Sequence, residues 1–385
     1  MEMNISKDIR YVGVNDSTTD LFESQYIIPE GISYNSFVIL DERVALMDTV
    51  DARFADEWLE NVKRELAGRT PEYLVVSHVE PDHAGSIAVA LKAFPTIKLV
   101  GNVKTFQFIE QFFALNLPES QRIIKTEGDK LELGAHTLSF ILAPMVHWPE
   151  VMVSYELSEK VLFSADGFGK FGVPDDGEWD CEARRYYFNI CGKYGVQVQS
   201  LLKKALALDI AKIAPLHGPV LTGDLSHYIK QYDTWSSYRP ETEGVFIAYA
   251  SIHGNTAVAA NELAEKLKAS GVKVAISDLS RDDIAECVED AFRYDRIVLA
   301  SPTYDAGIFS PMDDFLSHLK AKGYQNRKVA IIENGSWAPA AAKLMRSFME
   351  TLKNISFVEP VVSIKSALTA QSRAQLDELA KNLLK

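Results

Sequence analysis

The chain has 385 residues, with 40 lysines and arginines against 53 aspartates and glutamates for a formal net charge of −13, and 47% of it is hydrophobic; this excludes one small module and a disordered chain, and predicts two or three folded units. The negative excess lies before Gly244 and the remainder is balanced, so neither a nucleic-acid partner nor an anionic membrane surface is expected. No apolar run approaches the roughly 18 residues of a membrane span, scattered charges (Lys7, Asp8, Arg10) replace a signal-peptide core, and Cys181, Cys191 and Cys287 form no C-x-x-C pair, which together predict a cytoplasmic protein without a disulfide framework, a four-cysteine iron site or a ferredoxin cluster.

Apolar runs at 37–40 and 44–47, joined by Asp41-Glu42-Arg43, predict a hairpin. An amphipathic helix follows at 54–67, with Phe54, Trp58, Val62 and Leu66 on one face. Strand-like runs recur at Tyr73–Ser77, Ile97–Val100, Thr137–Leu142, Lys160–Ser164 and Lys212–Pro215, with helical stretches between several of them, as in a layered α/β domain. The polar, proline-containing segment 238–244 reads as a linker, giving domains at 1–243 and 245–385. Beyond it, strands at 245–250, 272–276, 296–300, 328–332 and 357–362 alternate with helices, and a last helix starts near 370; this is the rhythm of a doubly wound parallel sheet.

The densest chemistry follows the run Tyr73–Ser77, where "SHVEPDHAGS" places His78, Glu80, Asp82 and His83 within six residues. Asp82 alone could be a helix cap. Four metal-competent side chains together outweigh that reading, because His147, Asp166 and His217 each follow another strand-like run that would deliver them to the same sheet edge. His136, in a turn, and His227, in a helical stretch, read as structural or surface residues. His227 is the one rival to His217, which is favoured because it stands on the corner Pro215–Pro219.

A second signal is the strand–loop–helix passage at 249–267, whose loop Ser251, Ile252, His253, Gly254, Asn255, Thr256 offers hydroxyls and backbone N–H groups at a helix start, a cradle for phosphate. An ordinary cap by Asn255 is the alternative. The loops carrying Pro302, Thr303, Tyr304, Asp305, Ala306, Gly307 and Asn334, Gly335, Ser336, Trp337 follow the third and fourth strands of this half and would line the same edge, with Tyr304 and Trp337 supplying faces for a flat ring.

The His-x-Glu-x-Asp-His motif followed by His147, Asp166 and His217 resembles the metallo-β-lactamase superfamily, with Glu80 where its hydrolases usually carry histidine. Added carboxylates suit iron or manganese better than zinc. The second half resembles flavodoxin, and the two in this order resemble the flavodiiron proteins, a likeness that covers essentially the whole chain. It implies an αββα metallo-β-lactamase-like sandwich followed by a flavodoxin-like sheet. It also implies one iron held by His78, Glu80 and His147, another by Asp82, His83 and His217, and Asp166 as the bridge, with FMN in the second half. Tyr194 matches a tyrosine that the family places near the iron pair, and Phe22, Phe168, Phe171 and Trp148 are candidates for an apolar wall.

The implied activity is reduction of dioxygen to water, of nitric oxide to nitrous oxide, or of both. Electrons would come from an external donor such as a rubredoxin or a reduced deazaflavin. The implied assembly is a head-to-tail homodimer or a tetramer. The alternative is a metallo-β-lactamase-superfamily hydrolase with an electron-transfer flavodoxin domain attached, against which Glu80 stands.

Overall fold

The computed structural model describes residues 3–175 and 177–385. They form two compact units: one runs to Tyr187 and resumes over Val196–Asp233, and the other holds Phe188–Gly195 and Thr234–Lys385.

In the first unit, one sheet orders its strands Ile9–Tyr11, Phe37–Ile39, Ala45–Met47, Tyr73–Val75, Lys98–Gly101 and Arg122–Ile124. Its first three strands pair antiparallel and the others add in parallel. The second sheet runs Lys130–Glu132, Thr137–Leu142, Met152–Glu156, Val161–Phe163 and Lys212–Ala214, antiparallel until the last, parallel pair. Ile9, Phe37, Met47 and Val75 from one sheet share a single buried cluster with Leu138, Phe140, Met152 and Phe163 from the other, so the core lies between the sheets.

The helix Ala55–Leu66 buries Trp58, Val62 and Leu66 against the strand Phe37–Ile39. Asp56 and Glu57 in its first turn and Lys63 and Arg64 in its last complement the helix dipole. The strand Met152–Glu156 had no counterpart in the sequence reading, because all five of its residues are buried, Ser154 and Glu156 included, and alternation is lost. The edge strands Ile9–Tyr11 and Arg122–Ile124 are three residues each, too short to show a period.

The second unit is built on a six-stranded sheet whose five main strands run parallel in the order Val274–Asp278, Thr242–Tyr249, Tyr294–Tyr304, Gln325–Asn334, Lys353–Ile364, with the two-residue strand Gly307–Ile308 pairing antiparallel to Tyr294–Tyr304. That is the 2-1-3-4-5 order of a doubly wound fold. Helices Asn255–Ala269 and Ala370–Leu383 pack together, as do Ile284–Arg293 and Ser310–Ala321. Val245, Ile247, Val298, Ala330 and Ile332 are buried with Leu263, Leu267 and Leu376 in one core. Four of the strands begin earlier than their apolar centres suggest, since polar residues such as Gln325 and Lys353 also keep register, whereas Val274–Asp278 begins later than the expected 272–276. Buried Arg327 donates to the carbonyls of Tyr294 at 2.8 Å and Tyr238 at 2.7 Å, fastening the approach segment to the sheet. Among the described residues, no helix is long and apolar enough to cross a membrane.

Phe140 is fully buried in the inter-sheet core. Phe140→Ala is expected to cost about 3–5 kcal/mol, measured by urea unfolding monitored in the near-UV; a cost under about 1 kcal/mol would show that the two faces are not packed as described.

Candidate functional site

Seven side chains converge at the strand ends of the first unit. The segment after Tyr73–Val75 carries His78 and Glu80 into the short helix Pro81–Ala84, which holds Asp82 and His83. His147 precedes Met152–Glu156, Asp166 follows Val161–Phe163, and His217 follows Lys212–Ala214. Glu80 Oε2 lies 3.1 Å from both His78 Nε2 and His147 Nε2. Asp82 Oδ2 lies 3.2 Å from His83 Nε2 and 3.3 Å from His217 Nε2. Asp166 stands between the two groups. Its Oδ2 is 3.1 Å from His147 Nε2 and 3.3 Å from His78 Nε2, whereas Oδ1 is 3.3 Å from His83 Nε2 and 3.7 Å from His217 Nε2.

These spacings fit metal ligation. Donors about 2.0–2.2 Å from one ion and near right angles apart stand about 3 Å from each other. Both oxygens of Asp82 are buried and accept no hydrogen bond, so Asp82 is not the helix cap; Glu80 occupies the cap position. His83 Nε2 and His217 Nε2 face each other at 3.1 Å, a contact that two lone pairs tolerate only around a proton or a cation.

Neighbouring groups aim the donors. Glu150 Oε1 lies 2.6 Å from His78 Nδ1 and accepts the Val79 N–H at 2.9 Å. The Ser33 carbonyl sits 2.7 Å from His217 Nδ1, and Asn35 donates to the carbonyls of Pro215 and Gly218 at 2.8 Å each. In both histidines the ring nitrogen away from the cluster is occupied, which leaves Nε2 pointing inward. Asp48 Oδ1 accepts the Ser77 N–H at 2.6 Å, and Thr49 donates twice to the His83 carbonyl.

Charge is balanced mutually within the cluster. Burial pushes the Asp82 carboxyl up to about 7. Burial also disfavours a charged His147, but hydrogen bonds with Asp166 and Glu80 carry it to about 9. Asp166, whose burial works the other way, is held well below the usual carboxylate range by His78, His147 and His83. Burial lowers His217.

The two rival histidines separate cleanly. His217 is buried in the cluster, whereas His227 lies on the surface of the helix Ser226–Ser236 with Nε2 2.7 Å from Asp180. His136 Nδ1 is 3.1 Å from buried Glu156. Of the aromatic candidates, Phe22 packs edge-on against His217 at 5.4 Å, Phe171 against Phe22 at 5.7 Å, and Trp148 against His78 at 5.0 Å. Phe168 instead stacks on Tyr232 at 4.1 Å.

Tyr194 belongs to the second unit, half-buried in the short helix Gly192–Tyr194. Two tyrosine rings pack against the cluster: Tyr186, fully buried, is 5.4 Å from the ring of His217, and Tyr34 is 6.1 Å from His217 and 6.4 Å from His83. Tyr186 had no place in the sequence reading. It lies on the helix Asp180–Ile190, where the pair Tyr186-Tyr187 in "RRYYFN" was the available signal.

In the second unit a cavity of about 530 Å³ opens at the carboxyl edge of the sheet. Fourteen of the sixteen residues named from the three loops line it: Ser251, Ile252, His253, Asn255 and Thr256, the run from Pro302 to Ala306, and Asn334 to Trp337. Gly254 and Gly307 are not among its lining residues. Gly254 takes φ +87° at the helix cap position, and Gly307 pairs with Tyr304. The helix Asn255–Ala269 has no side-chain cap, so Asn255 is not one, and its first N–H groups are left for an anion. Trp337 is 92% exposed and Tyr304 49%, two uncovered aromatic faces that suit a flat ring. Sequence reasoning missed Ser366, which lines the cavity beyond the last strand and shares a 2.6 Å hydrogen bond with Ser336.

Two family models match, "ODP family beta lactamase" over residues 32–218 and "Flavodoxin domain" over 246–360. A putative diflavin flavoprotein A 2 of Synechocystis is 29% identical over 95% of this chain, which spans 63% of that protein's length. An anaerobic nitric oxide reductase flavorubredoxin of Aliivibrio salmonicida is 28% identical over 90% of this chain and 72% of its own. The solved rubredoxin oxygen:oxidoreductase of Desulfovibrio gigas superposes with a TM-score of 0.92 over 100% of this chain and 98% of its own, at 24% identity. A metallo-β-lactamase-like domain followed along the chain by a flavodoxin domain places the chain among the flavodiiron proteins, a family of oxidoreductases.

Proposed function

We propose that the chain is a cytoplasmic oxidoreductase that reduces dioxygen to water, nitric oxide to nitrous oxide, or both, at a non-haem diiron centre supplied with electrons by FMN. The observation that carries this reading is Asp166, whose two buried oxygens each face a separate group of donors. A carboxylate so divided suits a bridge between two ions, with His78, Glu80 and His147 on one side and Asp82, His83 and His217 on the other. The likeness to an anaerobic nitric oxide reductase flavorubredoxin and to a rubredoxin oxygen:oxidoreductase supports these substrates and a rubredoxin-type donor. A reduced deazaflavin is the other donor class.

When bound, reduced FMN and a diferrous pair supply two electrons each, the four that take dioxygen to two waters, while two suffice for joining two nitric oxide molecules. The protein's part is positional. Glu150 and the Ser33 carbonyl hold the inward nitrogens of His78 and His217 in place. Phe22 and Trp148 set apolar rings against His217 and His78, with Phe171 against Phe22, surroundings that would suit a small uncharged gas. In the second unit the open helix start would hold the flavin phosphate, and Tyr304 and Trp337 would flank its ring.

The two sites belong to different units, so a head-to-tail homodimer, or a tetramer built from it, would bring the flavin of one copy to the metal centre of another. Phe112, 49% exposed and stacked at 5.3 Å on Trp148, supports a covering surface there.

Purified protein is expected to carry about two irons and one FMN per chain; two zincs with no oxygen or nitric oxide consumption would favour the hydrolase reading. His217→Ala should lower iron content and abolish gas consumption while FMN stays bound, whereas His227→Ala should stay within about 0.5 kcal/mol of stability with activity intact. Asp166→Ala should abolish the exchange-coupled diferric spectrum, and its persistence would remove Asp166 from the bridge. Trp337→Ala should weaken FMN affinity several-fold, about 1 kcal/mol of ring stacking, read by fluorescence titration of flavin-free protein.

A further inference from the structure

The hairpin Leu21–Phe22/Tyr26–Ile27 overhangs the cluster. The Gln25 N–H donates to the Phe22 carbonyl at 3.0 Å, closing a two-residue turn in which Glu23 has φ 48° and Ser24 φ 58°. Both central residues are left-handed, the conformation that favours Asn-Gly; a Glu-Ser pair there is unfavourable. Phe22 anchors the hairpin through its edge-on contact with His217. From the tip, the Glu23 carboxyl, which accepts a hydrogen bond from Gln25 Nε2 at 3.1 Å, faces the same cavity as Glu80 and Asp82.

A cavity of about 340 Å³ opens here, and Glu23, Tyr34, Asp51, Arg53, Glu80 and Asp82 are among the residues lining it. Its guanidinium is already engaged: Arg53 Nη2 is 3.1 Å from Asp16 and Nε 3.0 Å from Asp51. Glu23, Glu80 and Asp82 therefore form a line of carboxylates, running from an exposed turn to buried donors, whose charge Arg53 does not offset.

We propose that Glu23 is the receiving carboxylate for incoming ferrous iron, holding the partly hydrated ion at the mouth and passing it to Glu80 and Asp82. This rests on the metal-centre reading above. An exposed carboxylate replaces the first waters of a hydrated cation, and the buried donors replace the rest. The role also accounts for a turn whose sequence is unfavourable for its shape.

The test is the time course of ferrous iron uptake by the full chain, stripped with a chelator and reloaded without oxygen. Glu23→Asn removes the carboxylate and suits a left-handed turn. It is expected to load about tenfold more slowly, to reach the wild-type final iron content, and to match or exceed the wild-type thermal midpoint when metal-free. Added salt should slow the wild type more than the variant. Glu23→Gln should load slowly as well. Uptake by Glu23→Asn at the wild-type rate, or a lower final iron content in that variant, would overturn this role. A wild-type chain that takes up no iron would overturn the metal-centre reading and this role with it.

Discussion

Seven ionisable or metal-binding side chains crowded out of water are the constraint around which the first unit is organised. Three carboxylates and four imidazoles lie within a few ångströms of one another, and His78, Asp166 and His217 are at most 1% exposed. Such a group cannot be left to repel itself, because desolvated charge is costly unless matched. Protons offer one solution, seen in the raised Asp82 and His147 and the depressed Asp166. Two divalent cations offer another, with four positive charges against the three carboxylates, and they also use the inward lone pairs that protons leave crowded. The sandwich supplies the rigidity: six of the donors follow the short strands Tyr73–Val75, Val161–Phe163 and Lys212–Ala214, His147 precedes Met152–Glu156, and the Met152 N–H to Ser77 carbonyl bond at 3.0 Å ties the two sheets together beside the cluster.

The second unit meets the opposite requirement. Its cavity gathers hydroxyls, amides and backbone N–H groups with hardly any formal charge, His253 and Asp305 aside. A parallel sheet achieves this cheaply, since every crossover returns a loop to the same carboxyl edge. Neutral donors at a helix start bind phosphate without fixing it as tightly as a lysine cage would. The aromatic surface left bare by Trp337 and Tyr304 gives a ring something to cover.

Legibility in the sequence followed from the kind of signal each part left. The parallel unit was readable because its strands have apolar centres at regular spacing, and the three loops that line its cavity could be placed by topology alone. Ser366 escaped because it follows the last strand, where no loop was counted. All seven donors were readable from side-chain chemistry and from the apolar run before each one. What aims them was not: Glu150, Asn35 and Ser33 are remote in sequence and carry no motif of their own. Tyr186 shows the limit of reading by position: its place by the cluster is set by which face of the helix Asp180–Ile190 turns inward, and sequence distance does not encode that.

The charge around the cavity mouth bears on what the centre would admit. Outside the histidine-paired cluster, Glu23 and Asp51 line the mouth with Arg53, whose guanidinium Asp16 and Asp51 already engage. A mouth of that sign draws in divalent cations, leaves the approach of uncharged diatomic molecules unaffected, and repels anions. Most substrates of a hydrolytic dinuclear site, phosphate esters and carboxylated amides among them, are anionic and would meet that field before reaching the donors. Dioxygen and nitric oxide would not, and the rings of Phe22 and Phe171 beyond the mouth suit them. Glu80 would serve the proposed reading as a hard ligand that favours iron, while the field at the mouth would rest on the carboxylates outside the ligand set, Glu23 and Asp51.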